Sequence, residues 1–486
     1  MFLKATLGAD NDHGKTMECL LHFHSSTMTR TLSKKKADHR AKRVERRQAI
    51  ARAKQDGWRF ISKKKCSYNL PQETWEHVSA TLSFRGASVS RFDIFFKIIS
   101  FSFLKDILES IDSETWKKQQ GIFFQPSLNM LYKYFAIYIR IQGMYKVPVL
   151  CQRNGRPLRS SIEEARNYFR SIYPDDPPPC GKVLERLFTH FLISHEFYER
   201  LSTRFQGLLR NLGTSVSGDE KLFHFTGNSC HIMLVPSKPS RIGLWMYELV
   251  AQLGNGLPIL IHMRMLAVET VRGERAPVHD IVRAWRDVIL QFSHRCILVF
   301  DSYYFSANSV AVLEEPRVSG RASGVRFIGA VTASKFPVCD TLEGRVSTPG
   351  HWDGLYHRQT GHLLINYYDI DPHMGRKFVL TNAYIPSHRH RDMSVVPVYD
   401  DYRVLFDKCD KFNKRLCHCT WPHKTGGRDV LGDRGSQNNF AISCMLQNVF
   451  NAWFQANAVD FHCIDFSTNC LILADEIYRF ATTVVD

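Results

Sequence analysis

Long hydrophobic runs are missing from this chain. No stretch of roughly 18 apolar residues occurs that would span a bilayer as a helix, and the longest candidate, 92–104, is short and interrupted by Asp93 and Lys97. The first residues lack the basic stretch, uninterrupted apolar run and small-residue cleavage site of a secretory leader. The thirteen cysteines are an odd number scattered from Cys19 to Cys470, without the dense, even framework that staples small secreted domains. Reduced thiols in a soluble intracellular protein, away from any membrane, are therefore the expectation. There is no GxxxxGK(S/T) loop to cradle nucleotide phosphates. Nor is there a G-x-S-x-G elbow to expose a nucleophilic serine.

Acidic residues are the scarcer charge. Against 64 Lys and Arg stand 47 Asp and Glu, a net +17 with a pI near 9.3, which favours polyanionic partners. Residues 1–70 hold seventeen Lys and Arg against six Asp and Glu, so eleven of the net positive charges sit in the first seventh of the chain. Residues 1–70 are read as a basic, disordered tail. Its Lys34, Lys35, Lys36, Arg43, Arg46 and Arg47 are candidate phosphate contacts or part of a nuclear-import signal. A solvated tail that merely aids solubility would look the same.

With 486 residues, 44% of them hydrophobic, the rest is long enough for two to four domains. Three- and four-residue apolar spacing in WEHVSATL, FDIFFKIISFSFLKDIL and MLYKYFAIYIRI predicts an all-helical domain over 71–213. Ser161 followed by Glu164 reads as a capping box opening the next helix, which the proline run from Pro174 stops. After Gly213 the pattern turns to strands (TSVSGDE, IGLWMYELVAQL, PILIHMRMLA, CILVFD, RFIGAVT), with helices near 278–292 and 306–313, a mixed sheet with helices on its faces. Residues 336–394, with shorter strands between Gly, Pro and His clusters, read as an insertion. Helices return near 398–416 and 437–457. No internal repeat is visible.

Asp219 and Asp301 each end a strand-like run, and Asp407 and Asp410 lie three apart on one helix face. Carboxylate oxygens are the hard ligands that Mg²⁺ or Mn²⁺ prefers. Two such ions about 4 Å apart activate a nucleophile and stabilise the leaving oxygen in phosphodiester chemistry. Any one of these aspartates alone is more commonly a cap or an ion-pair partner.

The words around them change that weighting. SGDEKLFHFTGNS with VPSKPSRIGLW resembles the first catalytic block of piggyBac-type transposases, DSYYFSANSVAVL the second, and VPVYDDYRVLFDKCDKFNKRL the third. The resemblance spans roughly 70–457. It implies an α/β ribonuclease-H-like catalytic core, 214–335 and 395–415, with an inserted β-rich domain, 336–394. All-helical dimerisation and DNA-binding regions, 71–213 and 416–486, would flank the core. It further implies that Asp219, Asp301 and Asp407 hold two Mg²⁺ (or Mn²⁺) ions with Asp410 as an auxiliary acid. Lys238 and Arg241 of the first block join the expected DNA contacts. The implied activity is cut-and-paste excision and integration of a DNA element in the nucleus, through hairpin intermediates. The implied partners are double-stranded DNA with terminal inverted repeats and TTAA targets, handled by a homodimer.

The sequence departs from the family pattern in three places. Arg403–Phe406 replaces the Met-Gly-Gly step of the third block, Asn228 stands where Arg commonly follows the Gly of the first, and only Cys463 and Cys470 remain of a terminal cysteine-rich zinc module. A domesticated DNA-binding protein without catalysis is therefore the alternative. Cys417, His418, Cys419 and His423 cluster, but Cys-x-Cys is not the common zinc spacing. The histidines at 385–391 read as a solvated basic loop.

Overall fold

The computed structural model describes residues 37–38, 40–61, 79–84, 88–109, 126–144, 158–187, 197–224, 232–236, 242–265, 277–292, 296–315, 324–357, 359–371, 375–383, 402–416 except 404, and 432–484 except 461–463, with short strands at 67–69, 385–387, 424–425 and 428–429. Near its start come helix α1, residues 40–55, and strand β1 (Trp58–Phe60). Five longer helices follow, with a short one (Gly181–Arg186) between the last two: α2 (Arg91–Ile98), α3 (Phe101–Glu109), α4 (Leu128–Met144), α5 (Leu158–Ile172) and α6 (Phe197–Gln206). Next are strands β2 (Ser215–His224), β3 (Ile242–Gln252) and β4 (Pro258–Met265), helix α7 (Val278–Phe292), strand β5 (Ile297–Phe300), helix α8 (Ala307–Glu314) and strand β6 (Arg326–Val331). Strands β7 (Trp352–His357), β8 (Leu363–Tyr368) and β9 (Arg376–Thr381) precede helices α9 (Lys408–Leu416), α10 (Gly432–Ala456) and α11 (Phe466–Ala481). The architecture is mixed α/β. Among the described residues no helix is long and apolar enough to cross a membrane.

Local chemistry sets the helix ends. Ser90 and Asp93 form a reciprocal capping box at α2, and Asp465 caps α11 by accepting from Thr468 N at 2.7 Å. At α5 the expectation fails: the helix begins at Leu158, so Ser161 lies inside it. Glu163 instead pairs with Arg166 at 2.6 Å, whose Nε donates to Pro179 O at 2.7 Å.

Helices α2–α6 and the final helix form one body. α4 is buried nearly all round, as a helix surrounded by others must be. Along its contact with α11, a Cβ at Gly143 would come within 2.9 Å of Ser467 O, so glycine permits the close approach. Phe480 packs among Phe92, Phe96, Phe101 and Tyr132, and Tyr478 stacks on Phe169 at 4.1 Å. The expected separate C-terminal helical region thus joins the N-terminal helices through α11. The apolar, aromatic stripe of α11 needs a partner, and α4 supplies it.

A ten-stranded sheet carries the rest. Its order is β1-β7-β8-β9-β6-β5-β2-β3, with β4 also paired to β3 and the short Met233–Leu234 strand against the start of β3. β2, β3 and β4 form an antiparallel meander, β5 lies parallel to β2, and β6 lies parallel to β5. Helix α7 presses onto β2, where a Cβ on Gly218 would sit 2.5 Å from the Trp285 ring. Beyond β6, strand β9 pairs antiparallel. The segment expected as an insertion therefore extends the same sheet.

The edge strand β4 is covered by side chains. Asn448 of α10 accepts from Leu260 N at 2.9 Å and donates to Leu260 O at 2.7 Å, and Asn451 donates to Pro258 O at 2.6 Å. Ser202 of α6 makes the same two-way pairing with Met263, at 3.1 and 3.0 Å. Polar side chains thus satisfy the backbone that an open edge would leave for another chain.

The basic N-terminal segment also departs from expectation. Residues 40–61 form α1 and β1 rather than a disordered stretch, because their few apolar groups find partners: Ala53 and Ile61 are buried, and β1 pairs with β7. His357 Nδ1 accepts from Thr360 N at 3.2 Å while Nε2 meets Asp56 O. That ring clasps the turn between α1 and β1.

Candidate active site

Parallel pairing of β2 with β5 sets Gly218 opposite Phe300, so Asp219 and Asp301, one residue further along each chain, emerge side by side. Asp301 Oδ1 accepts from Tyr303 N at 2.8 Å, and Asp219 Oδ1 from Glu220 N at 2.8 Å. The first bond fixes the Asp301 carboxylate on the turn after β5, and the second holds Asp219 within β2.

Two glutamates join them. Glu248 on β3 stands opposite Asp219 in the antiparallel register and is fully buried. One of its oxygens accepts from Asn413 Nδ2 of α9, and the other has no hydrogen-bond partner among the described residues. Glu220 points to the other face of β2, where it accepts from Tyr304 OH at 2.7 Å. Tyr304 packs on Trp285 at 4.8 Å.

The electrostatics follow from this crowding. Burial pushes the Asp219 carboxyl well above the usual carboxylate range, and the charges of Glu220, Asp301 and Glu248 push it further, partly offset by the Glu220 N–H. Burial likewise raises Glu248 to about 7, opposed by Lys221 and Asn413 and reinforced by Asp410 and Glu220. Tyr304 is raised by burial and then by Glu220, Asp219 and Asp301.

Cations border the cluster without neutralising it. Lys335, just past β6, donates to Ser302 O at 2.5 Å and Tyr303 O at 2.8 Å, beside Asp301. Lys221 lies 5.1 Å from the Phe440 ring, with its ammonium unbonded among the described residues. Lys408 is buried under β2, and that burial lowers its ammonium to about 8.

The third acidic block sits on α9 and the turn before it. Asp407 is half-buried and pairs with Lys411 at 3.2 Å, while Asp410 is exposed and makes itself felt at Glu248 and Cys409. The structure thus brings Asp219, Asp301 and Glu248 together, with Glu220 on the other face of β2 and Asp410 acting on Glu248, but Asp407 is engaged by Lys411. Among the described residues no three His, Cys, Asp or Glu side chains form a ready ligand set. The charge of Asp301 nonetheless adds to the cost of ionising Asp219, the repulsion expected between neighbouring carboxylates.

Of the expected DNA contacts, Arg43 and Arg47 are exposed and Arg46 half-buried on α1. Lys34, Lys35, Lys36, Lys238 and Arg241 lie outside the described residues, as do Cys417–His423 and most of 385–391. Sequence reasoning missed Glu248, Lys335 and Lys408. A lone acid inside the apolar run IGLWMYELVAQ was the available signal for Glu248. Lys335 follows β6 as Asp301 follows β5, on the neighbouring parallel strand.

No protein-family model matches the chain, and no curated protein matches it. A solved structure does: the cryo-EM structure of a piggyBac transposase synaptic complex with hairpin DNA shares 12% identity, covers 84% of this chain and 84% of that one, and superposes with a TM-score of 0.53. Helical body, sheet and acidic cluster are accordingly parts of a chain with a piggyBac-transposase-like fold.

Proposed function

We propose that this chain is a piggyBac-like transposase that cuts and rejoins a DNA element, acting as a nuclear homodimer on terminal repeats and TTAA targets. The observation that carries the reading is the pair Asp219 and Asp301, side by side on parallel strands and mutually repelling in a buried setting. The order β4-β3-β2-β5-β6, three antiparallel strands followed by two parallel ones, supports a ribonuclease-H-like core. The similar structure is a transposase in complex with DNA, which supports DNA as the partner.

In this reading Asp219, Asp301 and Asp407 hold two Mg²⁺ (or Mn²⁺) ions, with Asp410 auxiliary. Those ions would supply charge neutralisation at the phosphate and a more acidic nucleophile. The chain's own groups do the rest. Local backbone bonds orient Asp219 within β2 and Asp301 just past β5, and Asp407 must exchange Lys411 for the shared site. Lys335 adds a positive charge beside Asp301, where a backbone phosphate would arrive. Arg43, Arg46 and Arg47 of α1, with Lys34–Lys36, Lys238 and Arg241, grip phosphates further along the duplex.

A second reading, DNA binding without catalysis, is favoured by the Asp407–Lys411 pair and by Arg403–Phe406 in place of the glycine step. The deciding experiment is Mg²⁺-dependent cleavage of labelled DNA carrying the gene's own flanks, comparing wild type with Asp301→Asn and scoring binding in parallel. Cleavage by wild type alone supports the transposase. Binding without cleavage by either protein replaces it with the second reading.

A further inference from the structure

The segment bearing the third acidic block is fastened to β2 by directional bonds that the packing of α9 does not require. Lys408 Nζ, 3% exposed, donates to Ser215 O at 2.7 Å and to Ser215 Oγ at 2.6 Å. Ser217 Oγ donates to Phe406 O at 2.9 Å, and Cys409 Sγ donates to Ser217 O at 3.2 Å. On the next strand Asn413 reaches Glu248. Asp407 is therefore bracketed on both sides, by Phe406 and Lys408, with bonds to residues two and four positions before Asp219.

Apolar burial alone would hold this helix. Leu405, Cys409 and Phe412 are buried and supply non-directional attraction. Such contacts tolerate rotation and sliding, whereas a hydrogen bond is confined in distance and angle. A buried ammonium is also an expensive way to pack a helix, because an apolar side chain of similar volume is often as stabilising or more so. Lys408 thus adds register more than stability.

We infer that Lys408 is a positioning residue: its bonds to Ser215, with the Ser217–Phe406 and Cys409–Ser217 bonds, set the register in which the segment carrying Asp407 and Asp410 lies against β2, the strand of Asp219. The inference rests on the reading of these aspartates as one site, but its structural half is tested independently of activity.

The test uses the full chain as wild type, Lys408→Met and Ser215→Ala. Readouts are the melting midpoint, amide hydrogen exchange across 405–416, and the midpoint shift caused by Mn²⁺ alone. Lys408→Met is expected to melt at or above the wild-type temperature, while α9 amides exchange about ten-fold faster and the Mn²⁺ shift falls by about half. Ser215→Ala, which removes only the hydroxyl, is expected to do the same to a smaller degree. Unchanged exchange and an unchanged shift in a folded Lys408→Met overturn the proposal, and so does faster exchange with an unchanged shift. If Lys408→Met fails to fold, Ser215→Ala decides by the same criteria. If the wild type shows no Mn²⁺ shift, the metal reading fails, and exchange across α9 alone upholds or overturns the latch.

Discussion

The helical body and the centre of the sheet bury charge in opposite ways. In the body each buried cation has a partner: Arg91 donates to Asn469 at 2.7 Å and lies 3.6 Å over Trp453, Lys133 meets Asp176, and Arg140 meets Asp475 at 3.4 Å. Aromatic rings fill the space between them. At the sheet centre Asp219 feels the like charges of Glu220, Asp301 and Glu248, and the ammonium of Lys221 and one oxygen of Glu248 have no hydrogen-bond partner among the described residues, as is also true in the body of Arg140 Nε and Asp176 Oδ2. The body is organised for stability. The centre is held together against its own charge by the surrounding fold, the condition in which perturbed ionisation and function coincide.

The largest test strikes the body. Tyr478 is fully buried, stacks on Phe169 and donates to Asp176 O at 3.0 Å. Tyr478→Ala is expected to cost about 4 kcal/mol in denaturant unfolding, from the cavity and the orphaned carbonyl together. A cost near 1 kcal/mol would mean that α11 is not integral to the body.

The next sharpens the contrast from the other side. Glu248, normally near 4.5, is raised to about 7 in the folded protein. The folded state therefore holds a proton that the unfolded chain releases, so this group's contribution is complete below pH 4.5 and is lost as pH rises through about 7, amounting to about 3 kcal/mol at most. Glu248→Gln keeps an acceptor for Asn413 and removes the charge. It is expected to match wild type at pH 4.5, exceed it in stability above pH 7, and show a flatter profile between, with Asp219 leaving a residual slope of the same sign. Equal stability of the two proteins at pH 8 would show that the centre tolerates its charge.

What was legible in the sequence follows the same division. The 3.6-residue pattern of VHDIVRAWRDVILQF gives α7 directly, and the apolar run before Asp301 gives β5, because those signals are local. That α11 completes a body begun with α2, where Phe92 N donates to Glu476, 384 residues later, is not local, and neither is the docking of α1, whose composition reads as a solvated tail until β1 pairs with β7. At the site, Asp219 and Asp301 were visible as acids within family-like wording, but only Asp301 follows its strand as expected, whereas Asp219 lies midway along β2, which runs on to His224. Glu248 was not, because its meaning depends on register: only the pairing of β2 with β3 places it opposite Asp219. Lys408 was hidden for the same reason, one position after an aspartate that drew the attention.

A third test addresses the seam between the two regions. Asn448 satisfies both backbone groups of Leu260 on the edge strand. Asn448→Ala leaves a buried N–H and C=O without partners and is expected to cost about 2 kcal/mol, with faster amide exchange in β4 than in α4. Uniform loosening of both elements would show that body and sheet unfold as one unit.

The smallest effect is expected where neither rule applies. Lys105 and Glu109 pair at 3.6 Å on α3, with side chains 68% and 64% exposed, so water and salt screen the pair and both chains give up rotamer freedom to form it. Lys105→Ala should change stability by less than about 0.5 kcal/mol, and less still in high salt. A loss of more than about 1 kcal/mol, surviving high salt, would be inconsistent with screened surface attraction. It would place part of the body's stability in the aliphatic stem of Lys105 lying on the helix surface, and the contrast between a ring-packed body and a charged centre would then need a third, solvent-facing component.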